Sequence, residues 1–205
     1  MAHAGTGKSV TLLEVVLQVF LSDTTHRLLV CAPTNNAVDH LASLLFRTGL
    51  MHRNNMVRLL AGSRSFDSVP WDVQPCCQFG QDRCIAENHR IILTTCASAV
   101  HAAKLSFTHV IIDEAACASE PEVLIPITIA AGQRTEPVKI IVAGDPMQLG
   151  AQINSEIAVE FGLETSLMER LLSLLIYGTW QNERFQDAFA SSHSGSAGDE
   201  LPTSG

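Results

Sequence analysis

The chain has 205 residues, 46% of them hydrophobic and 17% charged, which excludes a disordered chain and suits one large domain with a real core. A net charge of −8 excludes a dominant basic patch as the means of holding nucleic acid, although backbone N–H groups and hydroxyls remain available for phosphates. No apolar run reaches the roughly 18 residues of a membrane span, and six irregularly spaced cysteines with no secretory pattern point to reduced thiols and a cytoplasmic protein.

The opening residues, Met1 to Ser9, are followed by a helical pattern over Val10–Leu21, with apolar residues at Leu12, Leu13, Val15, Val16, Val19 and Phe20. Arg27–Ala32 reads as a short apolar strand. Pro33 to Asn36 form a polar turn in which Asn35 or Asn36 is placed to cap a helix over Ala37–Phe46. Met56–Leu60 is a further strand. Residues 62–88 lose all periodicity and read as an irregular insertion. Cys76, Cys77, Cys84 and His89 lie in or beside it, but without the C-x₂₋₄-C spacing of structural zinc sites, so buried thiols are the better reading.

Arg90–Thr95 is a strand ending in two threonines, and Ala97–Lys104 a short helix. Phe107–Asp113 is a strand, Pro121–Ile129 a helix, Lys139–Ala143 a strand and Ser166–Ile176 a helix with Glu169 and Arg170 on its polar side. Ser and Gly then dominate, and residues 177–205 read as a disordered tail behind a domain of residues 1–176. Apolar strands alternating with helices predict an α/β fold, a mainly parallel sheet buried on both faces.

Three stretches carry chemistry. Gly5, Thr6, Gly7, Lys8 and Ser9 fit the end of the G-x-x-x-x-G-K-[ST] phosphate loop, with Ala2 where its first glycine belongs. Glycines let backbone N–H groups turn onto phosphate oxygens, lysine supplies a mobile cation and serine an oxygen for Mg²⁺. Taken alone, GKS is also what a Gly-rich tail contains by chance. The second stretch is Val110–Glu114, an apolar strand ending in Asp113 and Glu114. At the C-terminal edge of an α/β sheet, one acid there can hold Mg²⁺ and its neighbour can act as a base on water. The strand Lys139–Ala143 delivers Gly144, Asp145, Pro146, Met147 and Gln148 to the same edge, where the amide can sense a γ-phosphate or orient water. Lys8, Asp113, Glu114 and Gln148 are therefore expected to converge on one crevice.

GTGKS at Gly5, CAPTNNAVDHL at Cys31, TT at Thr94, IIDEAACASEPEVLIP at Ile111 and AGDPMQLG at Ala143 occur in the order and spacing of the superfamily-one RNA helicases. The chain resembles the first RecA-like domain of the Upf-type group over roughly Ala2 to Leu175. The stretch from Met56 to Cys77 is similar to the branch that contains Armitage and its Moloney-virus-resistance relatives.

The resemblance implies a P-loop ATPase domain acting with ATP and Mg²⁺ on single-stranded RNA. By it, Gly5, Thr6, Gly7, Lys8, Ser9 and Asp113 would bind the nucleotide, Ser9 and Asp113 holding the metal. Glu114 would activate the attacking water and Gln148 would couple the γ-phosphate to the nucleic-acid site. Pro33, Thr34, Asn35 and Thr95 would line the strand track. The family places ATP between two RecA-like domains, the second supplying arginines to the transferring phosphoryl group. The strand expected before the phosphate loop and that second domain are not seen in the 205 residues, so the expectation is a fragment inactive alone. The alternatives are a non-catalytic nucleotide- or partner-binding fragment and a P-loop ATPase acting on DNA.

Overall fold

The computed structural model describes residues 7–79, 89–132 and 135–174. Gly5, Thr6, Cys84 and the expected tail from residue 177 lie outside them. The chain divides into two compact units, Met1–Glu169 and Arg170–Gly205, and the architecture below is that of the first.

Six strands form one sheet: β1 (Leu28–Ala32), β2 (Met56–Leu60), β3 (Cys77–Phe79), β4 (Ile91–Thr95), β5 (His109–Ile112) and β6 (Lys139–Val142), in the order β3-β2-β4-β1-β5-β6. Every pairing is parallel. Parallel neighbours need crossovers over the sheet faces, which is why β1, β2, β4 and β5 are mainly apolar and buried along their whole length, with Arg58 the one charge inside β2. The expected α/β class is therefore the observed one.

Helices α1 (Lys8–Ser22) and α2 (Asn35–Arg47) cover one face. Leu12, Val16 and Leu17 of α1 and Val38, Leu41, Ala42 and Leu45 of α2 pack there with Leu28, Val30, Ala32, Met56, Leu60, Ile91, Leu93 and Ile111. On the other face lie α3 (Glu120–Gly132), which buries Val123, Pro126 and Ala130 against β5 and β1, and a 3-10 turn over Ala97–Ala102. The short helices α4 (Glu156–Glu160) and α5 (Leu167–Leu172) follow β6.

Four details differ from the sequence reading. The insertion expected at 62–88 holds, in its described part, 3-10 turns over Phe66–Ser68 and Gln74–Cys76 and the strand β3, which extends the sheet beyond β2. The α2 cap is Thr34, whose Oγ1 accepts from the Ala37 N–H at 3.2 Å, not Asn35 or Asn36. α4 is a helix that the sequence reading does not include. Finally, β6 is not buried on both sides: it is an edge strand, its Ile140 47% exposed.

Candidate functional site

α1 starts immediately after Gly7, whose φ of 73° lies in the left-handed region that glycine enters without a Cβ clash. The Gly7 carbonyl accepts from both the backbone N–H and the hydroxyl of Thr11, at 2.9 and 3.1 Å, so the helix opens squarely on the GKS turn. Lys8 and Ser9 thus occupy the first turn, where free N–H groups and the helix dipole favour anions. Lys8 Nζ reaches Asp145 Oδ2 at 3.4 Å.

Asp145 lies just beyond β6 in a turn that it holds itself. Its Oδ1 accepts from the Met147 N–H at 3.1 Å and its Oδ2 from Gln148 Nε2 at 3.2 Å. Those bonds and Lys8 hold its carboxyl below the usual range, the Met147 N–H contributing most. Asp145 is thus the link between Lys8 and Gln148, the two ends of the predicted constellation.

Asp113 follows β5 and is buried, its Oδ1 accepting from the Glu114 N–H at 2.9 Å. Burial raises its proton affinity, against the N–H bond and the positive fields of Lys8 and His40. Glu114 is raised by partial enclosure of its carboxyl and then by the charge of Asp113, and Lys8 and His40 again oppose the shift. Glu114 has φ 52° and ψ 33°, the only left-handed non-glycine residue among those described. Such a conformation costs on the order of 1–3 kcal/mol and persists only where surroundings impose it. Here Ala115 donates to the Ala143 carbonyl at 2.9 Å, tying the acid turn to the end of β6. A Cβ on Gly144 would stand 2.9 Å from Ala116 N and 3.2 Å from Ala115 N, so only glycine lets the two loops lie this close.

The residues expected to line a strand track lie further along the same edge of the sheet. β1 and β4 run side by side with Ala32 opposite Thr95, so Pro33, Thr34 and Asn35 leave the sheet beside Thr95. Thr34 and Asn35 are exposed, whereas Thr95 is 9% exposed and its Oγ1 accepts from the Ser98 N–H at 3.3 Å. Thr34 spends its hydroxyl on the α2 cap. Asn35 spends its amide oxygen on Arg58 and Arg64.

Three participants were missed by the sequence reading. Asp145 was seen as a carboxylate at the right edge, but its turn geometry was not legible. His40 was passed over inside an ordinary helix. Arg58, a charge inside a fully buried strand, carried a readable signal, since such a group must have a partner; its partners are Asp39 and Asn35.

A family model described as an AAA domain matches residues 2–79 and 78–156. The chain belongs to that family. RNA helicase Mov10l1 of Homo sapiens is 42% identical over 183 residues, covering 87% of this chain and 15% of its own length. Regulator of nonsense transcripts 1 homolog of Neurospora crassa is 31% identical over 208 residues, covering 83% of this chain and 18% of its own. The armi protein of Drosophila melanogaster is 29% identical over 196 residues, covering 82% and 16%. Within the AAA-domain family, the chain thus falls in the Mov10-like and Armitage branch of the Upf-type group. It spans less than a fifth of the length of each of these relatives. The family is one of nucleotide-using proteins. No described helix is long and apolar enough to cross a membrane.

The donor set fits Mg²⁺. Asp113 and Ser9 offer hard oxygens, and both acids bear raised proton affinities that a cation would relieve. Among the described residues no group of three or more His, Cys, Asp or Glu is placed to hold a metal ion. Cys76 is buried in the core, Cys77 Sγ donates to the Val73 carbonyl at 3.4 Å, and His89 Nε2 lies 3.0 Å from the Arg53 carbonyl.

Proposed function

We propose that the chain carries the ATP site of an ATP-dependent RNA helicase, in a RecA-like domain of residues 1–176. The observation that bears most weight is the meeting of Lys8, Asp145 and Gln148 in one connected group, with Asp113 and Glu114 in the field of the same lysine. In this reading the N–H groups from Gly5 to Gly7 and the start of α1 take the phosphates, with Thr6 in the loop, and Lys8 exchanges Asp145 for phosphate oxygen. Ser9 and Asp113 would hold Mg²⁺, which when bound neutralises phosphate charge. Glu114, the freer of the two acids, accepts the proton of the attacking water. Gln148 reports the γ-phosphate to the strand track at Pro33, Thr34, Asn35 and Thr95. A cytoplasmic location accords with five free cysteines among the described residues.

Nucleotide binding is the direct test, because turnover in this family draws on arginines of a second domain. A fluorescent ATP analogue with Mg²⁺ should bind the chain, bind the Glu114→Gln variant equally, and fail to bind Lys8→Ala. Retention of binding in Lys8→Ala would overturn the assignment. Hydrolysis measured with single-stranded RNA and with DNA of equal length separates the RNA reading from an ATPase that works on DNA.

A further inference from the structure

Beneath Asn35 lies a charged cluster that the ATP site does not use. Arg58 on β2 is wholly buried, Asp39 on α2 is buried, and Arg64 comes from the loop after β2, its side chain 10% exposed. Arg58 Nε donates to Asp39 Oδ1 at 2.9 Å, its Nη1 to the Leu59 carbonyl at 2.5 Å and its Nη2 to Asn35 Oδ1 at 2.9 Å. Arg64 Nη1 donates to the same Asn35 Oδ1 at 3.0 Å and to Asp39 Oδ1 at 3.1 Å, while its Nη2 bonds Asp39 Oδ2. Two guanidiniums thus share one carboxylate and one amide oxygen, an arrangement that leaves a net positive charge under an exposed asparagine.

Stability alone does not account for this design. A buried ion pair is worth little more than apolar residues of the same volume, and a second arginine adds a charge without adding a carboxylate. What the cluster does determine is the orientation of Asn35. Guanidinium groups only donate, so the atom facing them is the carbonyl oxygen, and the NH₂ must face outward. Two charge-assisted bonds on that oxygen also polarise the amide and strengthen the outward N–H as a donor. A side-chain amide pointing its donors into solvent beside the start of a helix suits the phosphate–sugar backbone of a single strand, a contact independent of base sequence.

The geometry points to Arg58, Asp39 and Arg64 as positioning residues that lock the Asn35 amide with its NH₂ turned outward to donate to a phosphate oxygen of single-stranded nucleic acid. This rests on the proposed strand track at Asn35 and adds residues that touch no ligand. A chain with net charge −8 gains in this way a local donor at the track.

The test is a double-mutant cycle on binding of a fluorescein-labelled single-stranded RNA, read by anisotropy at fixed low salt, with each variant's melting curve recorded. Asn35→Ala should weaken binding about tenfold, in line with loss of one hydrogen bond to a charged group. Arg64→Ala leaves the Arg58 bond to Asn35 in place and should weaken binding by less, and adding it to Asn35→Ala should weaken binding no further, because Arg64 acts through Asn35. Asn35→Asp keeps both arginine bonds, and therefore the fold, but replaces the donor with an acceptor. It should bind at least as weakly as Asn35→Ala. Additive losses in the cycle, or wild-type affinity in Asn35→Asp, would overturn the positioning role while leaving the track in place. No RNA binding by the wild-type chain would overturn the track and the inference together.

Discussion

The two halves of the sheet's C-terminal edge handle charge in opposite ways. Under Asn35, Arg58 and Asp39 are sealed from water, and the oxygens of Asp39 are taken up by arginine donors. At the phosphate loop, Lys8 and Asp145 meet at 3.4 Å with 35% and 28% of their side chains exposed, and Gln148 is exposed beside them. A closed network can hold one geometry, whereas an open one can trade partners when a ligand arrives. The difference suits a fixed track on one side and an exchangeable phosphate site on the other, and substitutions on the two sides should separate accordingly.

The largest effect is expected at Asp39. Asp39→Ala leaves Arg58 buried with its carboxylate gone, and burial already lowers the proton affinity of that guanidinium. A loss of about 3–5 kcal/mol in urea unfolding is expected, the usual result of removing one partner of a buried pair. A loss under about 1 kcal/mol would mean that water reaches Arg58, and the contrast between the two halves would fail.

Gly144→Ala comes next. The new Cβ meets Ala116 N at 2.9 Å and Met168 Sδ at 3.0 Å, and only the sulfur can move cheaply. A loss of about 1–3 kcal/mol is expected. Nucleotide affinity should fall as well, because the Ala115–Ala143 bond that carries the Glu114 turn is strained apart. Unchanged affinity in a destabilised variant would separate the turn from the site.

Asp113→Asn should act in the opposite direction. The folded carboxyl is raised above its unfolded value, so its burial penalty is absent below the unfolded value and complete once pH passes the folded one. The variant should therefore be more stable than wild type at neutral pH, with the gap closing as the pH falls, and should bind Mg²⁺–nucleotide poorly. A gap that widens on acidification would contradict the sign of the shift.

What the sequence disclosed followed from periodicity. Five strands were legible because parallel strands read as short, mainly apolar runs, unbroken in Leu28–Ala32 and interrupted only by Arg58 in Met56–Leu60. β3 was not, because three half-buried residues in a Cys- and Pro-bearing stretch carry no period, and its pairing with β2 is a long-range event. Thr34 and the two asparagines after it are all good caps, and only backbone geometry chooses among them. At the site, the residue types GKS, DE and GDPMQ were legible. Glu114's left-handed backbone and the Asn35 amide's orientation were not, since both are imposed by neighbours distant in sequence.

The smallest stability effect is expected at the open pair, and it sharpens the comparison most. Lys8→Ala and Asp145→Asn should each change unfolding by no more than about 1 kcal/mol, because exposed pairs gain little over hydration and are screened by salt. Asp145 is held below its unfolded value, so its small contribution is present above that value and disappears as pH falls through the folded one. The two variants should nevertheless diverge in function. Lys8→Ala removes the cation that meets the phosphates and should abolish nucleotide binding. Asp145→Asn removes the carboxylate with which phosphate must compete, so its affinity for Mg²⁺–nucleotide should equal or exceed that of wild type. Titrating a fluorescent ATP analogue into both variants decides the matter. If Asp145→Asn loses affinity as Lys8→Ala does, then Asp145 holds Lys8 in its binding position instead of competing for it, and the pair belongs with the closed network beneath Asn35.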